Sequence, residues 1–372
     1  MRAFVFTDKA LERYAGQFVW LAVDTENSAN ASFLTKYPIN VWPTLMIIDP
    51  RKESVALKYA GGATVPQLEK LLNDGQRVVH GTKSKADEAI ARGDQLSNEK
   101  KNAEAAKAYE EAINAAPKGW SRLGRAAESL SFALYGARDY ERCAAKALEL
   151  YPRVRGTYSA ANVASLGLAC ASEKPENRAV FDALEKATRE TLDDPKIPLS
   201  GDDRSGLYET LISAREALKD EEGARKLRED WAAFLEGEAK KAKTPEQRAV
   251  YDSHRLTAYL ALKQPERAVP MLEQSERDFP NDYNPPARLG TTYRTMGKYD
   301  EALAAYDRGL AKAYGPRKIG ILRGKADTCA AKGDKEAARR TIEEAIRFAE
   351  SLPQGQRNEQ TIASLKKKLE TL

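Results

Sequence analysis

The sequence of 372 residues contains three cysteines and two histidines, the residue types that most often act as nucleophiles or metal ligands. Cys143, Cys170 and Cys329 form no Cys-x-x-Cys pair, and their odd number is a poor basis for a disulfide framework. Each lies at an apolar position of a predicted helix, so we expect all three to be buried as small hydrophobic side chains. His80 and His254 have no partner at the spacing of a metal site or a catalytic pair, and we expect both to be exposed.

Two acidic pairs and one glycine pair are the other candidates for chemistry. Asp193-Asp194 and Asp202-Asp203 flank predicted helix starts, and we interpret them as helix caps because a carboxylate there can accept hydrogen bonds from free N–H groups. Gly61-Gly62 is not followed by the Lys-Ser/Thr of a phosphate-binding loop and is interpreted as a turn. The sequence therefore predicts no catalytic, metal or cofactor site.

The composition is that of a folded, charged protein, with 42% hydrophobic and 31% charged residues. The 60 Lys and Arg exceed the 55 Asp and Glu by only five, and the two signs are interleaved, so we expect no nucleic-acid partner. The apolar runs of the sequence, such as Leu45–Ile48, are far shorter than the ~20 residues of a membrane-spanning helix. The residues after Met1 lack a secretory pattern, which predicts a cytoplasmic protein; a signal peptide upstream of Met1 would make it periplasmic or secreted.

Residues 1–75 alternate between strand and helix signals. Phe18–Val23 is an uninterrupted apolar run, typical of a strand that is buried on both faces. A short helix should follow and end before Pro38, since proline cannot donate a helical hydrogen bond. Thr44–Ile48 and Ser54–Tyr59 are predicted to be the next two strands, joined by a turn and followed by an amphipathic helix.

This order of elements resembles the C-terminal two-thirds of a thioredoxin-like domain. The residues that carry the resemblance are Phe18–Asp24, Val41–Leu45, Tyr59–Gly62 and Val65–Leu72. The resemblance implies that the peptide bond before Pro43 is cis. An active domain of that family also carries a Cys-x-x-Cys pair at a helix N-terminus, but no cysteine precedes Cys143. We therefore expect residues 1–75 to be an incomplete and redox-inactive domain.

From about residue 83 the strand signals disappear, and helix-length segments are separated by turns rich in Gly, Pro or Asp. Residues 245–282 and 283–316 align at a spacing of 34. The second copy resembles a tetratricopeptide repeat, with Gly290 and Ala302 where the two helices touch and Tyr293 and Tyr306 beside them. The resemblance implies about seven helix pairs over 86–352, after a linker at 76–85 and before a capping helix at 357–372.

The predicted fold class is thus a partial thioredoxin-like α+β domain followed by an all-α, right-handed tetratricopeptide-type solenoid. Such a solenoid binds a protein or peptide partner in its concave groove, which predicts an interaction scaffold without a cofactor, a nucleic-acid partner or a membrane contact. The candidate groove contacts are Asn284, Arg288, Thr291, Arg294, Arg323 and Asp327, whose arginines would pair with acidic side chains. The alternative is a thiol-disulfide oxidoreductase or chaperone-like protein whose active-site cysteines lie upstream of Met1. The oligomeric state stays open.

Overall fold

The computed structural model describes residues 1, 4–39, 41–81 and 84–372, so residues 82 and 83 of the predicted linker lie outside the described residues. The described chain is mostly helical, with one two-stranded sheet near the N-terminus. None of its helices, within those residues, combines the length and the apolar character needed to cross a membrane. Two compact units are distinguished: Met1–Ala15 with Asn40–Trp231 (unit 1), and Gly16–Ile39 with Ala232–Leu372 (unit 2).

The strands are β1 (Thr44–Asp49) and β2 (Ser54–Ala60). The helices are α1 (Ala31–Lys36), α2 (Val65–Val79), α3 (Lys85–Asn98), α4 (Asn102–Asn114), α5 (Leu123–Gly136), α6 (Tyr140–Val154), α7 (Ser159–Ser172), α8 (Arg178–Asp193), α9 (Gly201–Ala217), α10 (Glu221–Lys241), α11 (Pro245–Ala249), α12 (Asp252–Ala261), α13 (Ala268–Asp278), α14 (Asn284–Thr295), α15 (Tyr299–Lys312), α16 (Arg317–Lys332), α17 (Lys335–Ser351) and α18 (Glu359–Glu370). Short 3-10 helices cover Lys9–Tyr14, Ser28–Asn30 and Pro265–Arg267.

The antiparallel hairpin β1–β2 and the helix α2 confirm the two strands and the amphipathic helix predicted within residues 44–72. Helix α2 continues to Val79, so the linker predicted at 76–85 is wrong for residues 76–79. Helix α2 packs closely on β1 because Gly75 has no side chain; an added Cβ would overlap the side chain of Ile47. The bond between Trp42 and Pro43 is cis.

The buried strand predicted at Phe18–Val23 is wrong. These residues form no strand, and Val19 and Leu21 are 88% and 74% exposed. An apolar run is buried as a strand only where neighbouring strands offer their edges. Within the described residues the sheet consists of β1 and β2 alone, and Phe18–Val23 pairs with neither strand. A thioredoxin-like sheet is not formed by the described residues.

After the hairpin, the described chain forms seven helix–turn–helix pairs in sequence order: α3/α4, α5/α6, α7/α8, α9/α10, α12/α13, α14/α15 and α16/α17. Helix α18 packs on α17. In six of these pairs the turn between the two helices contains a residue with left-handed backbone, at Lys100, Arg138, Lys219, Lys263, Gly297 and Gly333. The N–H of the next residue donates each time to the carbonyl five residues earlier, a Schellman-type closure of the first helix. One local structure is therefore repeated along the chain.

A glycine–tyrosine contact sets the helix spacing in two of the pairs. A Cβ added at Gly93 would lie 2.5 Å from the ring of Tyr109, and one added at Gly290 would lie 2.7 Å from the ring of Tyr306. Both tyrosine hydroxyls bond to the residue after the glycine, at 2.9 Å and 3.0 Å. The close contact predicted at Gly290 is therefore confirmed, and the first pair repeats it with the same spacing of 16 residues.

Two of the three cysteines differ from expectation. Cys143 of α6 and Cys170 of α7 are buried, as predicted, but they form a disulfide with their Cα atoms 6.0 Å apart. Their interpretation as free apolar side chains is wrong, because packing of α6 on α7 brings together two residues that are 27 positions apart. Cys329 is free and buried, as expected.

The predicted caps and exposed histidines are confirmed in part. Asp203 forms a reciprocal cap with Ser200 at the start of α9. The pair Asp193-Asp194 instead lies at the end of α8, so its interpretation as a helix-start cap is wrong. His80 is exposed as predicted, whereas His254 is partly buried in α12.

Candidate functional site

The residues predicted to line a groove lie on α14 and α16, which are the first helices of the pairs α14/α15 and α16/α17 and contact each other in unit 2. Helix α14 carries Asn284, Arg288, Thr291 and Arg294, and helix α16 carries Arg323 and Asp327. Each helix is closed at its C-terminal end by the left-handed turn described above, which fixes where its exposed face begins and ends.

The structure brings Arg294 and Asp327 together and adds a third residue. Arg294 Nη1 lies 3.8 Å from Asp327 Oδ2, and Lys368 of α18 forms a salt bridge with the same carboxylate. The carboxylate of Asp327 on α16 thus interacts with two cationic side chains, Arg294 on α14 and Lys368 on α18. One positive charge of this cluster is therefore in excess. The Nε–H of Arg294 is buried and has no hydrogen-bond partner among the described residues. Such a donor has no acceptor that offsets its burial, so the positive character of this cluster is not fully compensated within the described residues.

Three other predicted contacts are engaged within unit 2. Asn284 Nδ2 donates to Asp282 Oδ1 at 2.8 Å, and Thr291 Oγ1 lies 3.0 Å from the hydroxyl of Tyr306. Burial lowers the pKa of Arg288, an effect that nearby carboxylates oppose. These side chains support the helix, whereas Arg323 is exposed to solvent.

A cavity of about 350 Å³ in unit 1 was not predicted from the sequence. It lies between the hairpin and α3–α5, and its polar lining includes Lys58, Tyr59, Lys100 and Glu128. Glu128 is 2% exposed; its Oε2 accepts a hydrogen bond from the Tyr59 hydroxyl at 3.3 Å, and its Oε1 has no partner among the described residues. Burial raises the pKa of Glu128.

Lys58 and Lys100 add basic groups to the cavity wall, opposite in charge type to the acidic Glu128. Burial lowers the pKa of Lys58, and the positive charge of Lys100 lowers it further. The sequence offered one signal, an acidic residue within the stretch 126–134, whose other members are Ala, Ser, Leu and Phe. The contribution of the hairpin could not be predicted, because it depends on a tertiary contact between β2 and α3.

Buried ion pairs fasten α2 and α3 to α5 beside this cavity. Arg122 Nε donates to Asp74 Oδ1 at 3.0 Å, and Arg125 Nη1 donates to Asp94 Oδ2 at 2.8 Å. All four side chains are almost completely buried. Such pairs are costly to break, since the remaining charge has no solvent around it. We therefore interpret this cluster as structural.

In the described part of the chain, no three His, Cys, Asp or Glu side chains gather closely enough to hold a metal ion. Residues 283–351, which span α14 to α17, match the family model of the tetratricopeptide repeat. The match falls at the place where the sequence copy was clearest. The comparison with curated proteins gives no match.

Three of the solved structures to which this chain is similar are the following. BtubC (BKLC) from P. vanneervenii is 16% identical with a TM-score of 0.41, and the match covers 56% of this chain and 90% of that one. A Rap protein complexed with competence and sporulation factor is 13% identical with a TM-score of 0.41, covering 82% and 84%. The TPR2AB domain of yeast Sti1 in complex with pHSP90 is 16% identical with a TM-score of 0.29, covering 77% and 98%.

Proposed function

We propose that this protein is a non-catalytic scaffold whose tetratricopeptide repeats bind an acidic segment of a partner protein. The observation that carries the proposal is the excess of positive charge on α14, α16 and α18, of which α14 and α16 lie in the matched region. Arg294 and Lys368 share the single carboxylate of Asp327, the Nε–H of Arg294 lacks a partner among the described residues, and Arg323 is exposed. An acidic side chain laid across α14 and α16 would meet these groups.

Charged contacts of this kind act mainly on the rate of association and on specificity. We therefore expect binding that weakens as salt is added, because exposed charges are screened over about 10 Å at 0.1 M ionic strength. The partner is defined by its acidic side chains and its extended backbone.

The experiment uses the full chain and an array of decapeptides rich in Asp and Glu, together with the matching Asn and Gln peptides. We expect the acidic peptides to bind and Arg323→Glu to weaken that binding at least tenfold. Arg347→Glu, which reverses an exposed charge on the second helix α17, is the matched control and should leave binding unchanged. Equal binding of the acid and amide peptides, or an equal loss in both variants, would refute the proposal.

We also propose that the chain takes no part in thiol-disulfide exchange through residues 1–75. The first cysteine of the sequence is Cys143, which is buried in the disulfide with Cys170, and Cys329 is buried as well. Reduction of insulin should proceed no faster than in a thiol-free control. A faster rate would support the oxidoreductase alternative.

The Cys143–Cys170 disulfide also supports an oxidising compartment, such as the periplasm or the extracellular space, over the predicted cytoplasm. The direct measurement is the number of cysteines that react with a maleimide when cells are lysed directly into denaturant. One reactive cysteine after denaturation is expected in an oxidising compartment, and three would place the protein in a reducing one.

A further inference from the structure

Residues 24–31, which we call the acidic segment, lie against two turns of unit 2. The hydroxyl of Tyr314 donates to Asp24 Oδ2 at 2.8 Å. The backbone N–H of Arg317 donates to Glu26 Oε2 at 2.8 Å, and the Nε of Arg317 lies 3.4 Å from Glu26 Oε1. Two acidic side chains, separated by one residue, are thus held by one phenol, one guanidinium and the first turn of α16.

The main chain of the acidic segment is held as closely as its side chains. A Cβ added at Gly315 would overlap the carbonyl oxygen of Glu26, and one added at Gly355 would overlap that of Ala31. Any residue with a side chain at either position would therefore push the segment away. The two glycines, one before α16 and one before α18, allow a peptide backbone to approach both turns.

Gln356 supplies the remaining polar contact. Its Nε2 donates to the carbonyl of Thr25 at 2.9 Å, while its Oε1 is buried and has no hydrogen-bond partner among the described residues. The side chain as a whole is 8% exposed. A buried amide that has one end on a peptide carbonyl and the other end unsatisfied is suited to receive a further N–H from an extended chain.

The run that leads into the acidic segment is held far less firmly. Val19 and Leu21 are almost fully exposed, and Trp20 is exposed as well. Segments with few buried apolar contacts open at low free energy compared with a repeat core. The contacts at 24–31 therefore decide whether the segment stays in place.

We propose that Tyr314, Gly315, Arg317, Gly355 and Gln356 form a binding site for an extended Asp-x-Glu peptide, which the chain's own acidic segment occupies until a partner's segment displaces it. This site shares no residue with the α14–α16 surface proposed above. The partner is a protein that presents two carboxylates one residue apart in an extended stretch. The tethered segment competes at a local concentration in the millimolar range, so a free peptide binds the wild type weakly.

The test compares the wild type with the released variant, Asp24→Asn/Glu26→Gln, in the full chain. The probe is a fluorescein-labelled peptide of residues 20–33. We expect the released variant to bind the probe at least tenfold more tightly than the wild type. The control Glu266→Gln/Glu344→Gln removes two exposed acids of unit 2 and should bind the probe as the wild type does. Equal affinity of the released variant and the wild type would overturn the proposal.

Additional variants distinguish binding at this site from binding at the α14–α16 surface. Arg317→Glu in the released variant should abolish binding, and Arg323→Glu should not change it; the reverse result would assign the peptide to the α14–α16 surface. A probe with Asn and Gln at the two acidic positions should not bind. Hydrogen exchange of the Arg317 amide should be slow in the wild type and fast in the released variant, which shows release without unfolding. If the wild type forms a dimer and the released variant does not, the acidic segment binds the site of another chain. That result would overturn the proposal that the segment occupies the site of its own chain.

Discussion

Gly290 of α14 determines how closely α14 and α15 pack, and its replacement by alanine should destabilise the last repeats. The added methyl group would lie 2.7 Å from ring carbons of Tyr306. The ring cannot move aside, because its other end is confined by Gly324, where an added Cβ would lie 2.8 Å from the Tyr306 hydroxyl. Overpacking of this kind costs about 1–3 kcal/mol. Alanine recovers about 1 kcal/mol through its helix propensity, which leaves a net loss of up to about 2 kcal/mol, the upper end applying to a confined ring.

Gly320 of α16 is the matched control, because it lies in a first helix of the same unit and an added Cβ would meet no atom within 4 Å. Gly320→Ala should therefore stabilise the helix by up to about 1 kcal/mol. Native-state hydrogen exchange of amides in α14–α16 measures both variants locally. A shift of the same sign in both would refute the packing argument. In a Tyr306→Ala background the clash is gone, so Gly290→Ala should then stabilise, and an unchanged loss would refute the role of the ring.

Three further predictions concern unit 1. Burial raises the pKa of Glu128 above its ordinary value of 4.5, so the stability contributed by its protonated form is complete below that pH and is lost as the pH rises through the raised pKa. The free energy of unfolding in urea should therefore become increasingly larger for Glu128→Gln than for the wild type from pH 4 to pH 8. A constant difference between the two would contradict this. Cys143→Ala/Cys170→Ala should lose about 3–4 kcal/mol, since the bond closes a loop of 27 residues; a reductant should lower the wild-type Tm in the same way, and no loss from either change would contradict this. Arg125→Met should lower the free energy of unfolding in urea by about 3–5 kcal/mol, because it leaves the buried carboxylate of Asp94 without its ion-pair partner. Adding Asp94→Asn to this variant should restore part of that free energy.

The repeat helices could be predicted because their signals are local. The small residue Gly290 was predicted where the two helices touch, and the structure confirms a close contact there, with Tyr306 as the partner. The recurring left-handed turn was not recognised, because four of its six positions are occupied by Lys or Arg and only two by Gly. Such residues enter that conformation at a cost that the helix closure must offset, which no residue-type pattern reveals.

The failed predictions depend on contacts between distant residues. Phe18–Val23 has the composition of a buried strand, but such a strand is buried only beside the edge of a neighbouring strand. The sheet of the described residues consists of β1 and β2 alone. The Cys143–Cys170 disulfide requires α6 and α7 to pack side by side, and the link from Asp327 to Lys368 requires α18 to return to α16. Periodicity within one segment carries no information on which segments meet.

The disulfide lies next to the most irregular helix pair of unit 1. The turn between α7 and α8, residues 173–177, lacks the left-handed residue found in the other six pairs, and its backbone hydrogen bonds span only two or three residues. Pro175 removes one donor from this turn. A pair that lacks the usual closure constrains its two helices less, whereas the bond from Cys143 to Cys170 fixes α7 to the preceding pair close to that turn. We therefore interpret the disulfide as a covalent constraint that holds α7 in place where the left-handed closure of the other pairs is absent.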